Sequence, residues 1–332
     1  MDDHRRRPKA DAYAALDLGT NNCRLLVARP AVDGFRVVDA FSRIVRLGEG
    51  VAANGHLREE AILRTLDALG VCAEKIRRRG ARRTRAVATE ACRRAANAGA
   101  FVRRVMDEVG LELEVISPRE EVDLALLGCR PLIGRAARYV IVFDIGGGST
   151  ELSWVRVAED GLDLLGWTSL PCGVVSLAER HGGDRIAAGI YEAIVAEVGD
   201  ALAAFDDDHG IGRALADDRV QMIGTSGTVT TLAGLFLGLP AYDRRRVDGI
   251  AMRFEEMSAV AARLLAMDYA ARAALPCVGP ERADLVVVGC AVLEAILRRW
   301  PIGWLRVADR GLREGILLRL MAADGWGAPA SP

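Results

Sequence analysis

The sequence has 332 residues, a formal net charge of -1 and 51% hydrophobic residues. At about 150 residues per domain that length predicts two domains, and a chain of this size buries about 75% of the surface it exposes when unfolded, which excludes intrinsic disorder. The near-neutral balance also excludes a dedicated nucleic-acid binder, which would carry a basic excess.

In chain order, residues 1–11 are charged, lack the apolar core of a signal peptide and read as a disordered tail. Residues 14–17, 23–29 and 35–41 are strand-like apolar runs. An amphipathic helix follows, with Ile62, Leu66, Leu69, Ala73 and Ile76 three and four apart. Residues 84–89 read as a buried strand, 101–109 as helix and 111–116 as a strand with one exposed face. The pattern then restarts, with strands at 139–143, 151–157 and 162–168, a helix at 190–205, a strand at 220–223 and helices at 257–266 and 282–299. Residues 323–332, with Gly325, Gly327, Pro329 and Pro332, read as a second disordered tail. Strand-rich openings followed by helices, twice over, predict two related α/β domains, 12–131 and 132–310.

The most apolar stretch, 285–297, carries Glu294 and lies between Asp284 and Arg298, too short and too charged to span a membrane. Seven cysteines without Cys-x-x-Cys spacing and four histidines without a ligand-spaced pair argue against a zinc site or a disulfide framework. They fit a reducing cytoplasm, the expected location. Lysine occurs only at Lys9 and Lys75, a bias read as codon usage.

The sharpest motif is Asp144-Ile-Gly-Gly-Gly-Ser-Thr-Glu151. Gly146, Gly147 and Gly148 let backbone N–H groups approach an anion, and Ser149 and Thr150 add hydroxyl donors. A Walker loop would open a helix and supply a lysine; here a β-rich run follows instead. Asp17-Leu-Gly-Thr-Asn-Asn22 behaves alike, so Gly19, Thr20, Asn21 and Asn22 form a second strand–loop–strand cradle. One such loop alone could be a plain hairpin turn, but two matched loops, each after a strand-end aspartate, point to phosphate. Asp17 and Asp144 stand where carboxylates hold Mg²⁺ against bound phosphate, usually through water. A third loop, Gly224, Thr225, Ser226 and Gly227, precedes a helix whose free N–H groups favour anions.

These loops, with Ala88-Thr-Glu-Ala-Cys-Arg93, Ser117-Pro-Arg-Glu-Glu121 and Val307-Ala-Asp-Arg-Gly-Leu-Arg-Glu-Gly315, resemble the exopolyphosphatase/guanosine pentaphosphate phosphohydrolase (Ppx/GppA) family over residues 14–320. The resemblance implies an α/β fold of duplicated ribonuclease-H-like (actin-like ATPase) domains facing a central cleft, the first completed by a C-terminal helix at 311–322. It implies a Mg²⁺-dependent phosphoanhydride hydrolase acting on polyphosphate or guanosine pentaphosphate. The expected ligands are polyphosphate or guanosine penta-/tetraphosphate; a homodimer is the expected assembly, with no nucleic acid and no membrane as partner. The rivals are a superfamily kinase and an alarmone-binding regulator without turnover.

Ser117, Pro118 and Glu120 spell a capping box, which employs Glu120 locally and leaves Glu121 in the first turn without a local partner. There the helix dipole favours its carboxylate, which could take a proton from attacking water. The family's catalytic base falls on the same residue. Glu151, directly after the second loop, is the second catalytic candidate. Arg93 matches the family's active-site arginine and is expected to bind phosphate; Arg24, Arg43, Arg46 and Arg313 are weaker candidates. The dense run from Arg77 to Arg85 reads as a solvated helix end. Thr20, Asn22, Cys23 and Arg24 depart from the family's usual residues, and the chain lacks the helical C-terminal region of longer members, which puts processive action on long polyphosphate in doubt.

Overall fold

The apolar runs pair into two sheets with the same wiring. The structure, a computed structural model, describes residues 11–326 apart from Asp33, Asp160 and Asp218. The first sheet contains β1 (Ala12–Leu18), β2 (Asn22–Ala31), β3 (Gly34–Ile44), β4 (Ala81–Ala88) and β5 (Leu113–Val115), in the order β3-β2-β1-β4-β5. The second contains β6 (Tyr139–Ile145), β7 (Thr150–Ala158), β8 (Gly161–Leu170), β9 (Val220–Thr225), β10 (Ala251–Arg253) and β11 (Trp304–Ala308), in the order β10-β11-β9-β6-β7-β8. In each, three antiparallel strands are followed by two parallel ones: β1–β2, β2–β3, β1–β4 and β4–β5 match β6–β7, β7–β8, β6–β9 and β9–β11. Among the described residues, β10 is the one additional strand. The duplicated ribonuclease-H-like topology expected from sequence is therefore present.

Helices cover both faces of each sheet, so the central strands read as continuous apolar runs. On one face of the first sheet the Glu59–Arg79 helix buries Ile62, Leu66, Leu69 and Ile76 with Leu16, Leu25 and Phe101. On the other, Leu124 from the Pro118–Cys129 helix and Ile316, Leu317 and Leu320 from the Leu312–Ala323 helix pack on Tyr13, Leu26 and Val87. The chain's last helix thus returns to the first sheet. Leu126 and Cys129, from the same Pro118–Cys129 helix, pack instead against Val140, Val142, Ile223 and Ala308 of the second sheet. This helix is wedged between the halves, and its N-terminus faces the gap between them.

Several expectations change. Arg82, Arg83 and Arg85 lie on β4, not on a helix end, and pair with Asp11, Asp324, Glu114 and Glu120. Arg77, Arg78 and Arg79 do form the exposed last turn of the Glu59–Arg79 helix, as expected, and Arg78 and Arg79 there pair with Asp39. The helix read from Arg282 begins at Val286. Residues 1–10 and 327–332 of the expected tails lie outside the described residues. Asp324, assigned to a tail, instead accepts hydrogen bonds from Tyr13 Oη and Arg83 Nη1, both at 2.8 Å.

Candidate active site

The two glycine loops close identically: Gly19 N–H donates to the Asn22 carbonyl and Gly146 N–H to the Ser149 carbonyl, each at 2.9 Å. In the flanking ladders Asp17 stands opposite Arg24, and Asp144 stands opposite Glu151. The duplicated hairpins therefore set a cation beside one aspartate and a carboxylate beside the other. The loops also touch. A Cβ on Gly148 would lie 2.6 Å from Thr20 Oγ1 and 2.9 Å from Glu90 Cγ, so any larger residue would push these side chains aside.

After β4 and β9 the chain turns into helices that open toward the same gap. Thr89 precedes the Glu90–Arg94 helix, and Ser226 precedes Gly227–Phe236. Ser226 holds φ at 125°, a strained backbone for a residue with a side chain, and its Oγ accepts a bond from Val229 N–H.

A cavity of about 130 Å³ lies where these loops converge. Of the predicted residues it is lined by Asp17, Gly19, Thr20, Asn21, Asn22, Glu121, Asp144, Gly146, Gly147, Gly148, Ser149, Glu151, Ser226 and Gly227. Four predicted residues do not line it. Thr150 is fully buried and donates to the Cys172 carbonyl, because its alternate strand position points away from the gap. Gly224 and Thr225 are still in β9, where Thr225 Oγ1 donates to the Arg310 carbonyl. Arg93 lies behind Glu121: its Nε and Nη2 donate to Glu90 Oε2, and its Nη1 donates to Glu121 Oε2 at 2.7 Å and to the Ile116 carbonyl.

Glu121 is thus not without a partner. Ser117 Oγ caps the helix through Glu120 N–H at 3.2 Å, while the Glu120 carboxylate pairs with Arg85 and Arg319 instead of completing a capping box. Burial, and then the charge of Glu151, push the Glu121 pKa well above the usual carboxylate range. Glu151 Oε1 accepts bonds from Ser149 Oγ at 2.6 Å and Ser169 Oγ at 2.8 Å, and burial raises its pKa as well. Burial, with Glu151 next, raises Asp144 to about 7, and burial also raises Asp17. The site concentrates carboxylates, of which Glu90 and Glu121 share Arg93 as their ion-pair partner.

Arg24, a weaker candidate from sequence, lines the cavity, whereas Arg43 pairs with Asp67 and Arg46 with Asp284. Arg313 is off the lining, but its charge eases Asp17 and Asp144. Thr89, Glu90, Thr228, Thr231 and Arg282 also line the cavity without having been singled out. For Arg24 a signal was available, since it follows Asp17 at the same interval as Glu151 follows Asp144. Thr228 closes the Gly224-Thr-Ser-Gly-Thr228 run, so a signal was available there too, whereas Thr231 looks like an ordinary helix residue and no local pattern marks it.

The model of the Ppx/GppA phosphatase family matches residues 26–323. Exopolyphosphatase 2 of Mycobacterium tuberculosis is 33% identical, over 92% of this chain and 98% of that protein. Guanosine-5'-triphosphate,3'-diphosphate pyrophosphatase of Photobacterium profundum is 28% identical over 96% of this chain and 61% of its own length. Among solved structures, an exopolyphosphatase-like protein superposes with a TM-score of 0.86 at 31% identity, over 94% of this chain and 98% of its own. The Aquifex aeolicus member of the Ppx/GppA family gives 0.76 at 28% identity, over 95% of this chain and 98% of its own.

Proposed function

The chain belongs to the Ppx/GppA phosphatase family, and from that premise we propose that it hydrolyses terminal phosphoanhydride bonds of inorganic polyphosphate, of guanosine pentaphosphate, or of both. The observation that carries the reading is the convergence of two matched glycine loops on one cavity with Glu121 at its edge.

In this reading the Thr20 hydroxyl and the backbone amides of Asn21, Gly147, Gly148 and Ser149 receive the oxygens of the terminal phosphoryl group, and Arg24 neutralises part of its charge. Glu121 takes the proton of the attacking water. Burial raises its pKa, which makes the carboxylate a stronger base. Arg93 acts through Glu121, holding one carboxylate oxygen so that the other faces the cavity. Glu151, fixed by two serine hydroxyls, orients water. Seven free, buried cysteines fit a reducing compartment, and the reading places the enzyme in the cytoplasm.

Magnesium fits the residues present. Asp17 and Asp144 are half-buried carboxylates at the ends of β1 and β6 without a full counter-charge, and Asn21 Oδ1 and Asn22 Oδ1 are buried without a partner. Among the described residues no group of three or more His, Cys, Asp or Glu could hold an ion unaided. That suits Mg²⁺, which keeps water and phosphate oxygens as ligands and here would be held by Asp17 and Asp144. When bound it supplies charge neutralisation at the phosphoryl oxygens.

The test is phosphate release, without any acceptor, from short polyphosphate, long polyphosphate, guanosine pentaphosphate and ATP compared side by side. Release from one of the first three well above ATP is expected. Dominant ATP turnover would overturn the reading.

A further inference from the structure

Residues 45–50 run from the end of β3 to the Val51–Asn54 helix and touch both halves of the molecule. On one side they hold the first glycine loop. Val45 and Arg46 N–H both donate to the Asn21 carbonyl, at 2.9 and 3.0 Å, and Gly48 N–H donates to the Thr20 carbonyl at 2.9 Å. On the other side they grip the second half. Arg46 pairs bidentately with Asp284, Nη1 to Oδ2 at 3.0 Å and Nη2 to Oδ1 at 3.1 Å, and Nη2 also donates to the Glu281 carbonyl. Gly50 N–H donates to Glu179 Oε1 at 2.8 Å.

The segment is built for this double contact. Arg46 holds a left-handed φ of 48°, which costs energy for any residue but glycine and persists only where its surroundings over-determine it. Gly50 is at φ 79°, and a Cβ there would meet the Arg58 guanidinium at 2.6 Å. Directly beside these contacts the halves are separated by a cavity of about 400 Å³, lined by Arg46, Glu49 and Gly50 of the segment itself and by Glu179, Asp184 and Asp284 across it. The clasp contacts therefore bridge an otherwise loosely filled part of the interface.

We propose that residues 45–50 form a clasp across the cleft that fixes the spacing of the two glycine loops, with Arg46, Glu179 and Asp284 as positioning residues for binding of the terminal phosphate. The inference rests on the reading of the loops as a phosphate cradle. Oxygens held by Thr20 and Asn21 on one side and by Gly147 and Gly148 on the other need both loops at one spacing. With the clasp closed that spacing exists before substrate arrives. With it released, substrate binding must also bring the halves together, so apparent affinity falls by the fraction of molecules that are closed. Chemistry suffers less, because Glu121 rides on the Pro118–Cys129 helix, which packs on both sheets independently of the clasp.

The experiment pairs steady-state kinetics on tripolyphosphate with a spacing measurement that needs no turnover. Spin labels on Leu63→Cys and Ala193→Cys, both exposed positions on opposite halves, report the separation by pulsed electron resonance in the full chain. Arg46→Ala and Glu179→Ala should each broaden or lengthen the distance distribution. They should raise KM about tenfold while kcat stays within about threefold, as expected for losing a charge-assisted hydrogen bond. Glu179→Gln, which keeps the acceptor for Gly50 N–H, should restore the narrow distribution and the KM. Distances and KM unchanged in both alanine variants would overturn the clasp, as would Glu179→Gln failing like Glu179→Ala. If unsubstituted protein releases no phosphate from any substrate while the alanine variants still spread the distances, the phosphate reading has failed and the clasp stands.

Discussion

At Glu121 two influences oppose each other. The charge and hydrogen bond of Arg93 favour the carboxylate, while burial and the charge of Glu151 disfavour it, and burial is the larger. Removing Arg93 should leave Glu121 both more basic and badly aimed, so Arg93→Ala is expected to cut kcat by roughly a hundredfold and shift the acid limb of the pH–rate profile upward. Asp144 offers a separate test. Its ordinary pKa is about 3.9, and burial raises it to about 7 in the folded chain. Between those values the folded state keeps a proton that the unfolded chain has lost, so stability falls as pH rises through that window. Thermal melts of metal-free protein should show Tm dropping from about pH 4 to about pH 7, and Asp144→Asn should flatten that slope. Glu121 was legible in the sequence because Ser117 and Pro118 fix the start of its helix. Its partner was not, since Arg93 is far off in sequence and reaches it only through the pairing of β4 with β5.

Among the elements, the Pro118–Cys129 and Leu312–Ala323 helices pack backbone to backbone. A Cβ on Gly128 would lie 2.0 Å from the Gly311 carbonyl oxygen, and one on Gly315 would lie 1.9 Å from that of Leu124. Neither obstacle is a side chain that can swing away. Gly315→Ala should therefore destabilise the fold by about 1–3 kcal/mol, as overpacking does, measured as a lower denaturant midpoint. Gly148→Ala is expected to act differently: the methyl group would meet Thr20 and Glu90 at the open cleft, raising KM with little change in midpoint. The strands with long apolar runs were legible from sequence. β11 was not, because Trp304–Ala308 is short, follows Pro301 and Gly303, and takes its place by pairing with β9 and β10, far off in sequence. β10, three residues on an edge, carries still less local signal.

Across the whole molecule, duplication brings two copies of one hairpin face to face, and their differences make the site asymmetric. Arg24 in one half and Glu151 in the other occupy equivalent ladder positions, so one wall offers a cation and the other a carboxylate. Two domains and two matched loops could be read from the sequence; the contact between Thr20 and Gly148 could not, since it depends on how the halves dock. Adding Mg²⁺ should raise Tm most at the alkaline end of the range, where Asp17 and Asp144 are ionised, and a chelator should abolish phosphate release. Among the described residues no helix is long and apolar enough to cross a membrane. The central claim is that Glu121 activates water over a phosphate held by the two loops, and Glu121→Gln tests it most directly. Phosphate release from tripolyphosphate should fall by about a thousandfold, while calorimetric binding of the same substrate stays within a few-fold of the unsubstituted protein. Turnover that survives the substitution would contradict the account.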